Sequence, residues 1–419
     1  MTNQEVRQPS GSKPGLFYGY IVVVAAFFAM VALYSTRAVF GVFFKPILAD
    51  FDWTRAMISG VVSVSMIIQG SLAVVMGGLT DRFGPRVVLT LSSCLVGLGY
   101  LLMAQTGSLW QLYLSYGLIL GVGMGGVMVP LLSTVARWFV TRRNLMSGIV
   151  VTGIGIGGLI TPPLADWLIA AYDWRVACAA LGGAVLVIGV VAAQALRRNP
   201  ARMGQSSRPM SKGGEPRTLS APEGIPFKEA AKTGQFWLSV AIYLCQGYCL
   251  FSIMVHIVPH ATDLGISATG AATILAAMGG AGIIGNLVLG GVGDRIGNKM
   301  VCVIGSILTV ASLFWLISIT EFWMFILFAI ILNFAVGGIT TAESPLVATL
   351  FGMRSHGMIL GMVSFGFTIG GALGPFLTGY IFDGTGSYQL AFVVCAAIGT
   401  VGLILAALLR PATGERGRV

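Results

Sequence analysis

Twelve long apolar stretches constrain this 419-residue chain more than any other feature of its sequence. A helix needs roughly 20 apolar residues to cross a bilayer, and such stretches recur from one end of the chain to the other. Only 10% of the residues are charged, whereas a soluble domain carries about 25%. The sequence therefore predicts an all-α integral membrane protein with twelve transmembrane helices, near residues 17–45, 55–78, 87–106, 109–137, 143–171, 174–196, 236–260, 267–293, 298–319, 322–351, 356–384 and 388–409.

The lysines and arginines predict the orientation of these helices, because positive charge is enriched in cytoplasmic loops. With both termini in the cytoplasm, 21 of the 25 cations lie on the cytoplasmic side. Because the cations lie in short loops between apolar segments, the net charge of +10 indicates the lipid bilayer as a partner and not nucleic acid. The compact loops favour a multi-pass protein of the cell (inner) membrane. The sequence predicts five parts in chain order: a cytoplasmic tail at 1–16, an N-terminal six-helix half at 17–196, a cytoplasmic linker at 197–233, a C-terminal six-helix half at 234–410 and a cytoplasmic tail at 411–419.

An internal repeat divides the chain into two halves. Residues 77–86 read GGLTDRFGPR and residues 290–299 read GGVGDRIGNK, which places Asp294 at a spacing of 213 residues from Asp81. One spacing that holds from the first helix to the fifth predicts two parallel, pseudo-symmetric six-helix halves, with a substrate site between them near the middle of the membrane. The same spacing relates Pro46 to Pro259, Asp50 to Asp263, Gly148 to Gly361, Gly153 to Gly366, Gly157 to Gly370 and Pro162 to Pro375.

These motifs carry a family resemblance. GGLTDRFGPR resembles the signature that follows the second helix of the major facilitator superfamily, and GGVGDRIGNK is a weaker copy after the eighth helix. Three further stretches resemble the monocarboxylate transporter and oxalate-formate antiporter-like family: YGYIVV at 18–23, WFVTRRNLMSGIVVTG at 138–153 and HIVPHATDLGIS at 256–267. The resemblance implies the major facilitator fold and alternating-access transport of a small organic anion, together with a proton or a counter-anion.

Each repeated motif contains an acid, Asp81 or Asp294, among cations. Such an acid can pair with an arginine of a neighbouring helix and hold the cytoplasmic side closed in one state, and the family resemblance implies the same role. A tight basic turn that only sets the topology is the alternative. The predicted gating residues are Asp81 with Arg137 or Arg142, Asp294 with Arg354, and the motif cations Arg82, Arg86 and Arg295.

Arg37 is the one charged residue between Pro14 and Phe44. Pro46, which matches Pro259, is expected to mark the outer end of the first helix, and Arg37 lies nine residues before it, about 14 Å along the axis. That is deep for a side chain that reaches the membrane surface. A guanidinium binds a carboxylate through two parallel hydrogen bonds. We therefore predict that Arg37 lines a wet cavity and binds the substrate, while a structural ion pair and an interfacial position stay open. The predicted substrate site also includes Tyr34, Asn286 and His256.

Glu343 and His260 are the candidates for proton coupling, because a carboxyl in the tenth segment and a histidine near the membrane surface can both titrate. Glu343 could instead cap the cavity or pair with Arg354, and both His256 and His260 could be vestibule wall. Members of the family usually carry an Asp and an Arg in the eighth helix, where this chain has Asn286 and Gly282. Because these two charges are missing, carboxylate exchange remains an alternative to proton symport.

The function predicted from these features is secondary transport of a small monocarboxylate such as lactate or pyruvate, with proton symport favoured. Carboxylate exchange, efflux of hydrophobic compounds and a non-transporting carboxylate receptor are the alternatives. The chain has no Walker lysine motif, no catalytic triad and no cluster with metal-ligand spacing. The sequence therefore predicts neither an enzyme nor a cofactor.

Overall fold

A computed structural model describes residues 17–51, 53, 55–140, 142–198 and 224–410 of the chain. The predicted tails at 1–16 and 411–419 lie outside the described residues, as does most of the predicted linker. The domain boundaries therefore stay predictions.

Within the described residues, twelve helices are long and apolar enough to cross a membrane, which confirms the predicted fold class. The fourth contains a π-helical stretch at Tyr113–Leu120, and a four-residue helix, Phe227–Ala230, precedes the seventh. The helices are α1 Tyr18–Asp50, α2 Arg55–Phe83, α3 Pro85–Met103, α4 Leu109–Trp138, α5 Arg143–Ala171, α6 Trp174–Ala195, α7 Gly234–Asp263, α8 Ala268–Ile296, α9 Asn298–Leu316, α10 Phe322–Phe351, α11 His356–Thr385 and α12 Tyr388–Leu408.

Some helices extend past their apolar stretches. Helix α2 continues through Asp81 to Phe83, and α1 continues past Pro46 to Asp50. Pro46 is therefore inside α1 and does not mark its end. Hydropathy shows where the apolar surface stops, whereas the backbone hydrogen bonds continue through a polar last turn. Pro46 cannot donate a backbone hydrogen bond, but the helix continues past it.

The two halves repeat the same close helix packing. A Cβ added at Gly157 of α5 would lie 2.5 Å from the carbonyl oxygen of Val31 in α1. At the matched position in the second half, a Cβ on Gly370 of α11 would overlap the carbonyl of Leu244 in α7. Glycine is needed at both places because the two backbones touch.

Within the described residues, two helix pairs make most of the contact between the halves, α2 with α11 and α5 with α8. We call the face where α1 and α7 begin the linker side, and the opposite face the far side. A Cβ on Gly361 of α11 would lie 2.6 Å from the carbonyl oxygen of Ala73 in α2, and one on Gly148 of α5 would overlap that of Asn286 in α8. These matched contacts close the molecule on the linker side.

On the far side, Asp50 ties α1 to α6. Its carboxylate accepts hydrogen bonds from Trp174 Nε1 at 2.8 Å and from Arg175 Nη1 at 2.6 Å. These bonds stabilise the charged form, so they lower the pKa of the Asp50 carboxyl below its ordinary value.

Candidate functional site

A cavity of about 510 Å³ lies between the two halves. Its floor is on the linker side, where Gly70 of α2 contacts Thr368 of α11 and Gly155 of α5 contacts Ile283 of α8. Toward the far side the halves separate, and the cavity residue Met254 is 46% exposed. The polar residues that line it are Tyr34, Arg37, Gln69, Asn286, Asn333, Thr340, Glu343, Ser364 and Thr368.

Arg37 lines this cavity from α1 and is partly buried. Among the described residues, no carboxylate lies within ion-pair distance of its guanidinium. The structure therefore places Arg37 as the cavity prediction requires, with its charge available to an anion. Its role in binding stays a prediction.

Tyr34 lies one turn of α1 closer to the linker side than Arg37 and also lines the cavity. Its hydroxyl accepts a hydrogen bond from Gln69 Nε2 at 3.3 Å and contacts the sulfur of Met128 at 3.5 Å. These contacts hold the Tyr34 hydroxyl against α2 and α4 at the wall of the cavity.

Glu343 lines the cavity from α10, although its side chain is only 3% exposed. It accepts one short hydrogen bond, from Ser364 Oγ of α11 at 2.6 Å. Arg354 is exposed and does not contact it, so the suggested pairing of these two residues is wrong in this conformation. Sequence reasoning missed Ser364, because no local pattern shows which side chain of α11 meets α10.

Asn286 lines the cavity from α8 and is buried. Its Oδ1 accepts a hydrogen bond from Thr341 Oγ1 at 3.2 Å and lies 3.4 Å from Thr340 Oγ1. Gly282, one turn toward the far side, also lines the cavity. Among the described residues of α8 that line the cavity, Asn286 is therefore polar and none is charged.

The two histidines of α7 do not line the cavity. His256 lies between α11 and α12, with Nε2 3.0 Å from the carbonyl oxygen of Pro375 and Nδ1 3.4 Å from the Tyr388 hydroxyl. His260 packs edge-on against Phe392. The structure does not bring either histidine to the predicted substrate site, because both rings face the interior of the second half.

Asp81 closes the linker side between α2 and α11. Its carboxylate pairs with Arg137 Nη2 at 2.7 Å, as predicted. It also accepts hydrogen bonds from the backbone nitrogens of Gly357 and Met358, each at 3.1 Å. These nitrogens belong to the first turn of α11, where the helix dipole favours a negative charge.

Asp294 of α8, in the second half, makes the equivalent contact with the first half. It accepts hydrogen bonds from the backbone nitrogens of Asn144 at 2.8 Å and Leu145 at 3.1 Å, in the first turn of α5. Residues 144 and 145 are 213 positions before Gly357 and Met358. Each half therefore caps a helix of the other half with an aspartate.

The predicted partner of Asp294 was wrong, because Arg354 is exposed and makes no ion pair with it. Of the other cations assigned to gating, Arg86 donates to Gln194 Oε1 at 2.6 Å, and Arg82 lies over the Phe83 ring. Arg142 and Arg295 are exposed. None of these four forms an ion pair with Asp81 or Asp294 within the described part of the chain.

Comparison with known proteins agrees with this architecture. A family model described as Major Facilitator Superfamily matches residues 26–291 and 253–418. The chain belongs to the major facilitator superfamily. It groups there with proteins named as monocarboxylate transporters. Monocarboxylate transporter 13 of Bos taurus is 30% identical over 389 residues, which cover 92% of this chain and 88% of that protein. Monocarboxylate transporter 11 of Homo sapiens is 28% identical over 406 residues, covering 93% and 82%.

Solved structures of this superfamily share the fold. The transporter FucP, described in the outward conformation, superposes with a TM-score of 0.74 at 14% identity, over 95% of this chain and 100% of that chain. The proton:xylose symporter XylE gives a TM-score of 0.73 at 12% identity, over 94% and 96%. The family model and the twelve spans among the described residues together identify the chain as a multi-pass membrane transporter of this superfamily.

Proposed function

We propose that this protein is a secondary transporter of monocarboxylates in the cell (inner) membrane, which works by alternating access with its linker side in the cytoplasm. The observation that carries the proposal is the Arg37 guanidinium, which lines the central cavity without an ion-pair partner among the described residues. Its planar fork matches a carboxylate. The relatives named as monocarboxylate transporters support the same substrate class.

The charges of the cavity favour one carboxylate per substrate. Among the described residues that line it, Arg37 is the one cation and Glu343 is the one acid. The second carboxylate of a dicarboxylate such as oxalate would lie in a largely apolar cavity without a cation. A lactate- or pyruvate-like anion, as the sequence predicts, satisfies this charge requirement.

Glu343 is the group that we assign to proton coupling. An anion bound at Arg37 repels a negative charge on Glu343, which lines the same cavity. Substrate binding and protonation of Glu343 therefore favour each other, and this coupling is reciprocal. Movement of the anion with one proton is electroneutral, so an inside-negative membrane potential does not oppose it.

Carboxylate exchange is the second candidate. Gly282 and Asn286 line the cavity where the family usually carries charges, and exchange requires no residue that carries a proton. An imposed pH gradient separates the two mechanisms, because only symport accumulates substrate in response to it.

The test is uptake of radiolabelled lactate and pyruvate into proteoliposomes, with and without a pH gradient. Replacement of Arg37 by Gln removes hydrogen bonds to a charged group, so we expect affinity to fall roughly 10- to 100-fold. Arg175→Gln is the matched control, because Arg175 is a half-exposed cation on the far side. Equal uptake by Arg37→Gln and wild type would contradict the proposal.

A further inference from the structure

The walls of the cavity are more apolar than a short carboxylate requires. Leu250, Phe251 and Phe367 line it, together with Val and Ile side chains of both halves. Lactate has a single methyl group and would leave most of this wall in contact with water. Five methionines from four helices complete the lining: Met66, Met124, Met128, Met254 and Met278.

Polar groups interrupt this apolar lining at a few points. The hydrogen-bonded pairs Gln69–Tyr34 and Ser364–Glu343 lie near the floor, where the halves meet. Arg37 lies one turn of α1 farther toward the far side than Tyr34 and is the one cation among the described lining residues.

The two halves also differ at matched positions. The spacing of 213 residues relates Arg37 of α1 to Leu250 of α7, and both line the cavity. The second half therefore presents Leu250, Phe251 and Met254 where the first half presents its cation. A ligand that satisfies both walls has an anionic end and an apolar end.

We infer that the preferred substrate is a monocarboxylate with a bulky apolar tail, either a medium-length alkyl chain or an aromatic ring. This inference rests on the function proposed above and adds the substrate class. The carboxylate binds Arg37, and the tail lies against the phenylalanine and methionine wall of the second half. Methionine side chains are unbranched and flexible, so the wall adapts to tails of different shape.

The size of the cavity agrees with this class. Its volume of about 510 Å³ falls within the range, roughly 300–1,000 Å³, of sites that enclose drug-sized ligands. The main support remains the composition of the wall, because closure of the far side during transport would reduce the volume but would keep the same side chains around the ligand.

The first test is a chain-length series. Acetate, butyrate, hexanoate and octanoate compete with radiolabelled octanoate for the full-length protein in lipid nanodiscs, and nanodiscs without protein give the background from lipid partitioning. We expect affinity to rise about fourfold for each CH₂ group that is buried. We also expect 3-phenylpropionate to bind more tightly than propionate.

The second test fills the apolar part of the cavity. A Cβ added at Gly279 of α8 would meet nothing within 4 Å, and Gly279 lines the cavity. We expect Gly279→Leu to lower the ratio of octanoate to acetate affinity by about 15-fold, the effect of two CH₂ groups left unburied. Gly280→Leu is the matched control, because Gly280 also has open space around it but is not among the described residues that line the cavity.

The outcomes separate the substrate class from the proposed function. If lactate and acetate bind as tightly as octanoate and all three require Arg37, the apolar tail is wrong and monocarboxylate transport stands. If octanamide binds as tightly as octanoate and Arg37→Gln has no effect, monocarboxylate transport itself is wrong, and the cavity is a site for neutral apolar compounds.

Discussion

A lysine in place of Arg37 would keep the positive charge but lose the planar fork that can bind both oxygens of a carboxylate. We expect Arg37→Lys to weaken substrate binding about tenfold, the effect of one lost hydrogen bond to a charged group. The measurement is the KM of carboxylate uptake in proteoliposomes. A wild-type KM in this variant would show that two-point binding is not used.

Glu343 can be tested without changing the shape of the cavity. A glutamine retains an oxygen that can accept the hydrogen bond from Ser364, but it cannot take up the coupled proton. We expect Glu343→Gln to abolish accumulation driven by a pH gradient and to preserve counterflow, in which labelled and unlabelled substrate exchange.

Glu321→Gln is the control for this experiment, because Glu321 is an exposed carboxylate that precedes the same helix on the far side. Accumulation by Glu343→Gln at the wild-type level would exclude Glu343 as the proton carrier. Loss of counterflow would assign Glu343 to substrate binding instead.

At the scale of helices, the aspartate caps decide how firmly the linker side is closed. Asp81→Asn and Asp294→Asn remove a charge from the first turn of α11 or α5, a contribution of up to about 2 kcal/mol. We expect each variant to shift the population toward a state open on the linker side. Asp81→Asn should have the larger effect, since it also leaves the largely buried Arg137 without its partner.

The opening can be measured as the distance between spin labels at Phe83 and Ile296, which are exposed and occupy matched positions in the two halves. Cys94, the exposed cysteine among the six, is first replaced by Ser. A longer distance in both variants is the expected result, and the control is Asp383→Asn, an exposed acid near the far-side end of α11. An unchanged distance distribution would show that the caps do not hold the gate.

At the scale of the whole molecule, alternating access requires the two halves to separate at the cavity floor. A Cβ added at Gly70 would lie 3.0 Å from the Cβ of Thr368, so a shift of roughly 0.5 Å brings the pair into the range of a disulfide. We expect oxidation of the Gly70→Cys/Thr368→Cys double variant to stop both uptake and counterflow, and reduction to restore them.

The two single-cysteine variants control for the effect of each substitution on the cavity. Full transport by protein that is completely cross-linked would mean that the halves do not separate at this contact. The whole-molecule motion would then have to be assigned to other helices.

The features that sequence reasoning predicted correctly are those encoded by local composition or by a repeat. Hydropathy identifies the helix that carries Arg37 because an apolar stretch of sufficient length has one stable arrangement in lipid. The repeat identifies Asp81 and Asp294 as equivalent because two homologous halves place matched residues at matched positions. The sequence around Arg37 also shows that this cation lies deep within an apolar stretch.

The partners of these residues depend on which helices approach each other, and contacts between distant segments leave no local pattern. The sequence indicated that Asp294 belongs to a gate, but only the tertiary structure showed that backbone nitrogens of α5, and not Arg354, face it. The bond between Ser364 and Glu343 likewise joins two separate helices. The tertiary structure also turned His256 away from the cavity and placed five methionines on its wall, because the rotation of each packed helix is set by its neighbours.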